Sequence, residues 1–143
     1  MGKAKDILNK KGTTILSITP DTLILDALRL MSEYNVGALM VVENNQLFGL
    51  FTERDYARKV ILKGLSSLDT EVREIMADDM VTVSPEHTID ECMFLMSEHR
   101  TRHLPVVQCS QVVGIISIGD VVKYIIEEQE SVIEHFKVYI SGT

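Results

Sequence analysis

The sequence predicts an α+β protein made of tandem β-α-β-β-α repeats packed about a pseudo-twofold axis. Three observations carry that prediction. Sliding the chain by 65 residues lays ITPDTLILDALRLMSEYNVGALMVVENNQLFGLFTERD over VSPEHTIDECMFLMSEHRTRHLPVVQCSQVVGIISIGD without a gap. Within each copy the apolar period changes from helical to strand-like and back again. The composition, 45% apolar and 24% charged over 143 residues, is that of one ordinary globular module. A module of this size buries roughly 68–70% of its unfolded surface, enough for a core without staples. Two copies are too few for a solenoid, so a pair of units closing on each other is the simplest arrangement.

Taken in order, AKDIL at 4–8 echoes VREIM at 72–76 with an offset of 68, so the first copy carries three extra residues before its first strand. A short extended piece follows in each copy, at 15–18 and 80–83, and runs into a turn at Pro20 or Pro85. Thr22 and Thr88 are the expected N-caps of the next helix, with Glu91 completing a capping box in the second copy. Ile24, Ala27, Leu28 and Met31, like Ile89, Cys92, Met93 and Met96, fall on one apolar helix face. The methionines on it read as core filler. Strands at 39–42 and 47–51 are joined by turn residues at 43–45; their counterparts at 104–107 and 112–116 are joined at 108–110. Pro105 cannot donate to a ladder, so its strand is an edge or begins there. YARKVILKG ends at Gly64, suited to a helix C-terminus, and 120–139 is long enough for two helices or one. The whole chain, 1–143, is thus expected to form one module. Its parts are a first repeat at 4–64, a linker and lead-in helix at 65–79, a second repeat at 80–124 and a C-terminal helix at 125–143.

Charge and composition exclude several classes. A net charge of −7 argues against nucleic acid as a partner. No apolar run approaches the ~20 residues that cross a bilayer, so no membrane partner is expected. MGKAKDILNKKG lacks the apolar core of a signal peptide and the Ser or Thr of a myristoylation signal, which leaves the cytoplasm as the expected location. Cys92 and Cys109 form no disulfide or zinc framework, and Cys92 reads as a small buried hydrophobe. His99 and His103 have no third ligand in the sequence, so no metal is expected. Basic residues nevertheless gather at Arg54, Arg58, Lys59 and in RTRH at 100–103, which leaves room for a small anionic ligand. The acidic surface names no protein target.

The repeated corner is the chemical signal. GLFTERD at 49–55 and GIISIGD at 114–120 each place a glycine, two apolar residues, a hydroxyl, two spacers and a carboxylate at the entrance to a helix. One reading is a plain capping box, hydroxyl at the N-cap and acid three residues on. The other is half a binding site. The helix start offers free N–H groups, and a carboxylate accepts two vicinal ribose hydroxyls. A glycine inside a strand suggests that something approaches the backbone closely. The two readings are compatible, because a carboxylate has spare lone pairs.

VREIM, the Pro–acid turn, LMSE in both copies, HLPVV and the doubled G-h-h-S/T-x-x-D (h, hydrophobic) together resemble a CBS-domain pair, of a small stand-alone type, over about residues 4–124. That resemblance implies a regulatory sensor without catalysis. It would bind AMP, ADP, ATP, NAD or S-adenosylmethionine in clefts between the repeats and form homodimers. Carried over position by position, one site would use Ile15, Ser17, Val36, Ala38, Thr52 and Asp55. The other would use Met80, Thr82, Thr101, His103, Pro105, Ser117 and Asp120. Arg102, with Arg100 and His103, makes the second site the better place for phosphate. Arg54 either reaches across the cleft or lies on the surface, and Arg100 and Arg102 either bind phosphate or simply cap a helix end. Two other functions stay open: a ligand-free dimerisation module, and a small enzyme using Asp55, Asp120 or His103. The apolar stripe Val121, Val122, Ile125, Ile126, Val132, Ile133 and Phe136 is more than one such unit is expected to cover, which suggests a symmetric dimer.

Overall fold

Two cores of matched composition organise the chain, and each is completed by a segment from the other half. The computed structural model describes residues 2–12 and 15–140. Its elements run α1 (Ala4–Lys11), β1 (Ser17–Ile18), α2 (Ile24–Tyr34), β2 (Ala38–Glu43), β3 (Gln46–Thr52), α3 (Glu53–Asp55), α4 (Ile89–Glu98), β4 (His103–Gln108), β5 (Gln111–Ser117) and α5 (Ile118–Ile140). A π-helical stretch, Tyr56–Ile61, continues α3 directly, and a 3-10 turn at Val72–Glu74 lies in the linker. Leu62 N–H donates to the Ala57 carbonyl at 3.2 Å and Leu65 N–H to Val60 at 2.9 Å, both five residues back, before the chain leaves the helix at Gly64.

β2 pairs antiparallel with β3 and parallel with β1, while β4 pairs antiparallel with β5. Both hairpins carry a bulge at the same place, Val41/Val42 and Val106/Val107. Both also turn through two residues of positive φ, Asn44 and Asn45 at 52° and 62°, Cys109 and Ser110 at 53° and 64°. Such turns match the twist of the strands, and Asn tolerates that conformation better than Cys or Ser. The 65-residue register holds through the cores. Ile18, Ile24, Ala27, Met31, Leu39, Val41 and Phe51 are buried in one; Val83, Ile89, Cys92, Met96, Leu104, Val106 and Ile116 take the same places in the other. A third layer, Ala38, Met40, Leu50 and Val112, joins the two sheets where β3 meets β5.

The lead-in segments change sides. Ala4 and Ile7 of α1 are buried in the second core, whereas Val72 and Ile75 are buried in the first. Their backbone contacts are the same bonds made twice. Ala4 N–H donates to His87 O at 2.8 Å and Lys5 N–H to Pro85 O at 3.0 Å; Val72 N–H donates to Thr22 O at 2.8 Å and Arg73 N–H to Pro20 O at 3.0 Å. Close approach follows from this exchange, and it explains the strand glycines. A Cβ on Gly114 would lie 2.6 Å from Leu8 Cδ2, and one on Gly49 would lie 2.7 Å from Met76 Sδ and 2.8 Å from the Ala77 carbonyl. What approaches the strand is the chain itself.

Four expectations resolve at this level. Thr88 is the N-cap of α4, bonded to Glu91 N–H at 3.1 Å in a full capping box. Thr22 is not the N-cap of α2: that place falls to Leu23, and Thr22 Oγ1 instead accepts from Thr19 N–H at 3.2 Å. Linker carbonyls replace the side-chain cap, Thr70 O and Ser67 O accepting from Ile24 and Leu25 N–H at 2.9 and 3.1 Å. The extended piece at 80–83 reduces to a single bridge, Val83 to Val106. The reason is Pro105, which stands where the first copy has Met40. Val83 bonds Pro105 O and Val107 N–H, so the missing Pro105 N–H lies on that same side of β4. Finally, the C-terminal region is one helix of 23 residues.

Gly49→Ala should cost about 1–3 kcal/mol, as overpacking does. The clashing Ala77 carbonyl is already held by Leu50 N–H at 2.9 Å and cannot retreat. Gly114→Ala should cost less, since only the tip of Leu8 must rotate. Denaturant melts of the two variants measure the difference; a larger loss at Gly114 would contradict this packing.

Candidate functional site

Each corner is a strand delivering a hydroxyl residue into the first turn of a helix. Thr52 Oγ1 accepts from Asp55 N–H at 3.1 Å, and Asp55 Oδ2 accepts from Thr52 N–H and Oγ1, both at 3.0 Å. Ser117 Oγ accepts from Asp120 N–H at 3.1 Å, and Asp120 Oδ2 accepts from Ser117 N–H at 2.9 Å. The capping reading is therefore realised twice. It uses one carboxylate oxygen in each case and leaves the other for a second partner. Each corner is tied to its own helix-to-strand loop, Glu53 N–H donating to Gly37 O at 3.1 Å and Ile118 N–H to Arg102 O at 2.9 Å.

A cleft of about 740 Å³ opens between the two copies. The first corner supplies Thr52, Glu53, Arg54 and Asp55; the second copy supplies Met80, Val81 and the run His99, Arg100, Thr101, Arg102 and His103. Gly37, Leu50, Ala77 and Asp79 complete the wall. The bridge between Leu50 and Ala77 is what lays 77–81 beside the first corner. The volume lies within the ~300–1,000 Å³ of ordinary small-molecule sites. Its chemistry is mixed. An apolar strip (Leu50, Ala77, Met80, Val81) faces acids and hydroxyls at the corner and three arginines at the rim. Among the described residues, Arg54, Arg100 and Arg102 make no ion pair. Arg100 adopts φ 51° where the first copy has Asn35 at 53°. Both end their helices with the same bonds, but the left-handed conformation costs an arginine more than an asparagine. Burial pushes the His103 imidazole below its ordinary pKa, Lys11 and Arg102 push the same way, and Asp120 and Glu53 oppose them.

The sequence-predicted residues do not stay in the two sets drawn copy by copy. Thr52, Arg54 and Asp55 share one cleft with Met80, Thr101, Arg102 and His103. Ile15 and Ala38 belong to the layer between the sheets, and Val36 packs on the first core. Ser17 pairs with Met40 in the β1–β2 ladder, Pro105 is buried in β4, and Thr82 is exposed. Ser117 caps α5, and Asp120 lines a separate small recess with Ile7, Lys10, Lys11 and Tyr124. The phosphate-type arginines thus stand over the first corner, not the second. Sequence reasoning missed Gly37, Leu50, Glu53, Ala77, Asp79 and Val81. Leu50 and Glu53 are the unmarked positions of the first corner motif, and Ala77, Asp79 and Val81 come to it only through the bridge of Ala77 to Leu50. Arg100 was expected beside phosphate at the second site, and His99 was weighed only as half of a metal pair with His103.

The corners also differ electrostatically. Asp55 Oδ1 lies 3.4 Å from Lys59 Nζ on its own helix. Asp120 Oδ2 lies 2.7 Å from Lys11 Nζ, which reaches it from α1 and also donates to Ile115 O at 2.9 Å. Burial pushes the Asp120 carboxyl up, but the Lys11 ammonium and the Ser117 N–H outweigh it and hold the group below its ordinary value. Burial alone raises the free Cys92 thiol most, with Glu91 adding to it, consistent with a packing role. Among the described residues no three His, Cys, Asp or Glu groups gather to hold a metal, and no helix is long and apolar enough to cross a membrane.

Comparison with known proteins agrees with the repeated fold. The CBS-domain model fits residues 4–62 and again 72–127. The chain is similar to the mitochondrial CBS domain-containing protein CBSX3 of Arabidopsis thaliana, 39% identical over 96% of this chain and 71% of that protein. It is 34% identical to the CBS domain-containing protein YhcV of Bacillus subtilis, over 84% of this chain and 83% of YhcV. Among solved structures, a protein with CBS domains from Burkholderia ambifaria MC40-6 superposes with a TM-score of 0.84 at 46% identity, covering 89% of this chain and 96% of that one.

The second corner carries an acid dependence. The folded Asp120 pKa lies below its unfolded value, so the stabilisation is present above the ordinary carboxylate range. It is lost as pH falls through the folded pKa. Lys11→Met should therefore melt below the wild type at about pH 7 and converge with it at about pH 2. Melting curves across that range check it; a gap independent of pH would mean that Lys11 acts by packing alone.

Proposed function

Because the chain belongs to the CBS-domain family and carries two copies of that domain, we propose that it is a regulatory sensor binding an adenosine-containing ligand between them. It performs no chemistry of its own on this reading. The observation that carries it is the cleft in which Thr52 and Asp55 of one copy face Arg100, Arg102 and His103 of the other. A ribose needs a carboxylate acceptor beside a helix start, a base needs an apolar slot, and a phosphate needs arginines with no other partner. Asp55, the strip Leu50–Ala77–Met80–Val81, and the three rim arginines meet those needs in one place. AMP, ADP, ATP, NAD and S-adenosylmethionine all present the adenosine part. The arginines favour those with phosphate.

An enzyme using Asp55, Asp120 or His103 finds less support. Asp55 and Asp120 each hold a helix cap and a lysine, and among the described residues the hydroxyl bonded to an imidazole, Ser84 on His87 Nδ1 at 3.1 Å, lies outside the cleft. The cytoplasm remains the proposed location, beside the fact that the Arabidopsis relative is mitochondrial.

A homodimer is the second part of the proposal. Of the predicted stripe on α5, Val121 is buried and Ile125 packs on the second core, but Val122, Ile126, Val132 and Ile133 are 48%, 48%, 53% and 52% exposed. The side chain of Phe136 lies outside the described residues. Ile61 and Leu62 on the π-helical stretch, at 55% and 78%, add a second apolar face. A closed twofold pairing is the commonest way to cover such faces. Light scattering at micromolar concentration should return twice the chain mass, and a mass of one chain would refute the dimer.

The ligand reading is tested by heat. An adenine nucleotide at ~100 times its dissociation constant should stabilise the fold by about 2.7 kcal/mol. For this length that raises the melting temperature by roughly 5–11 °C. Asp55→Asn keeps the shape of the cap, and should cost the ligand-free protein at most about 1 kcal/mol while removing most of the shift. Arg102→Ala should weaken AMP by ~1.5–3 kcal/mol and leave adenosine nearly unaffected. An undiminished shift in Asp55→Asn would move the ribose elsewhere, and equal losses for AMP and adenosine would take Arg102 off the phosphate.

A further inference from the structure

The two lead-in segments end near residues of opposite charge, Lys11 and Asp79, and each of these lines the recess at a corner. Ala4 and Val72 are buried alike, as are Ile7 and Ile75, and Leu8 and Met76 press on Gly114 and Gly49. The offset of 68 therefore holds in space over 4–8 and 72–76. Beyond it α1 stays helical to Lys11, whereas the second lead-in leaves its 3-10 turn at Glu74 and bridges Leu50 through Ala77, so the sequence sets Lys11 against Asp79 on different backbones. Asp79 lines the cleft beside Thr52 and Asp55, where it brings no cation to the first corner. Lys11 sits on the second corner, 2.7 Å from Asp120 Oδ2.

A second exchange reinforces the first. Lys59, which pairs with Asp55 from its own helix, has Tyr124 at its place in the second copy. The second corner has no helical lysine there and takes its cation from α1. The end of α1 is held down by Lys10 as well, whose Nζ lies 4.9 Å from the centre of the Tyr124 ring and 3.3 Å from Glu127 Oε2. Lys11 spends two hydrogen bonds at the corner, on Asp120 and on the Ile115 carbonyl. Lys11 and the cap share Asp120 Oδ2, so a ribose at this corner would have to share the carboxylate with the ammonium.

We propose that the N-terminal helix is an internal latch: Lys11 occupies the second corner in place of a ligand, so each chain offers its first cleft alone to nucleotide. This rests on the nucleotide reading of the first cleft for the identity of the ligand, while the latch is read as a difference between variants. A ligand reaches Ser117 and Asp120 only when the Lys11 contact is broken, which makes α1 the element that sets how many molecules a chain takes up.

Calorimetric titration of the full chain with AMP and, separately, with ATP tests this. Lys11→Met, with Lys11→Gln as a second variant should the first fold poorly, should bind one more equivalent per chain than the wild type. Asp120→Asn in the same background should remove that extra equivalent. Lys11→Arg keeps the cation and should keep the wild-type number. The latch is overturned if the Met and Gln variants bind the same number as the wild type, whatever that number is. It is equally overturned if Asp120→Asn in the otherwise unchanged chain lowers the count. The wild-type count itself reports on the proposed function, so a chain that binds no nucleotide fails that reading without deciding the latch, which the variants decide.

Discussion

Neither half of this chain closes its own core. Each repeat contributes one helix face and one hairpin, and that leaves an apolar edge that water would reach. The missing wall comes from the other half, Ala4 and Ile7 on one side, Val72 and Ile75 on the other. Burying such side chains contributes on the order of 1.5–3 kcal/mol for each Val or Ile. The exchange therefore makes the stability of one copy depend on the lead-in segment of its neighbour. It also dictates local sequence. The lead-in must pass directly over the second strand of the hairpin, against the Ala77 backbone at Gly49 and against the tip of Leu8 at Gly114.

The cleft is a by-product of the same crossing. Once Ala77 bridges Leu50, the chain from 77 to 81 has to run along the first corner. The loop after α4 then faces that corner across open space. Thr52 and Asp55 would be an ordinary capped helix start if the chain stayed within its own repeat. With the arginines of the other repeat opposite, the same cap becomes one wall of a charged recess. The loop begins as its counterpart does, with Arg100 at φ 51° where Asn35 is at 53°.

Duplication does not mean equivalence. The two corners have nearly the same capping bonds, within 0.1 Å for the backbone donors to each carboxylate. Their surroundings differ because single positions diverged: Lys11 against Asp79, Tyr124 against Lys59, Pro105 against Met40. Each change is small by itself. Pro105 removes one ladder donor and thins the strand at 80–83 to a bridge; Lys11 reaches Asp120 from α1, where Asp55 takes Lys59 from its own helix. A shared backbone thus carries two corners with different charged neighbours.

Local chemistry determined much of this protein from the sequence alone. Hydrophobic period placed α2, α4 and both hairpins, the 65-residue register paired the cores, and Thr88 with Glu91 announced its cap, because these depend on residues a few positions apart. The corners were legible as caps for the same reason. Thr22 failed as a cap because carbonyls from residues 67 and 70, distant along the chain, reached the helix start first. The grouping of site residues was likewise decided in three dimensions. Asp55 shares a cleft with Arg102 of the other copy, and Asp120 pairs with Lys11, because the lead-in segments cross between halves. Spacing along a chain records which units repeat. Which half of one unit faces which half of the other is set by the burial that neither can achieve by itself.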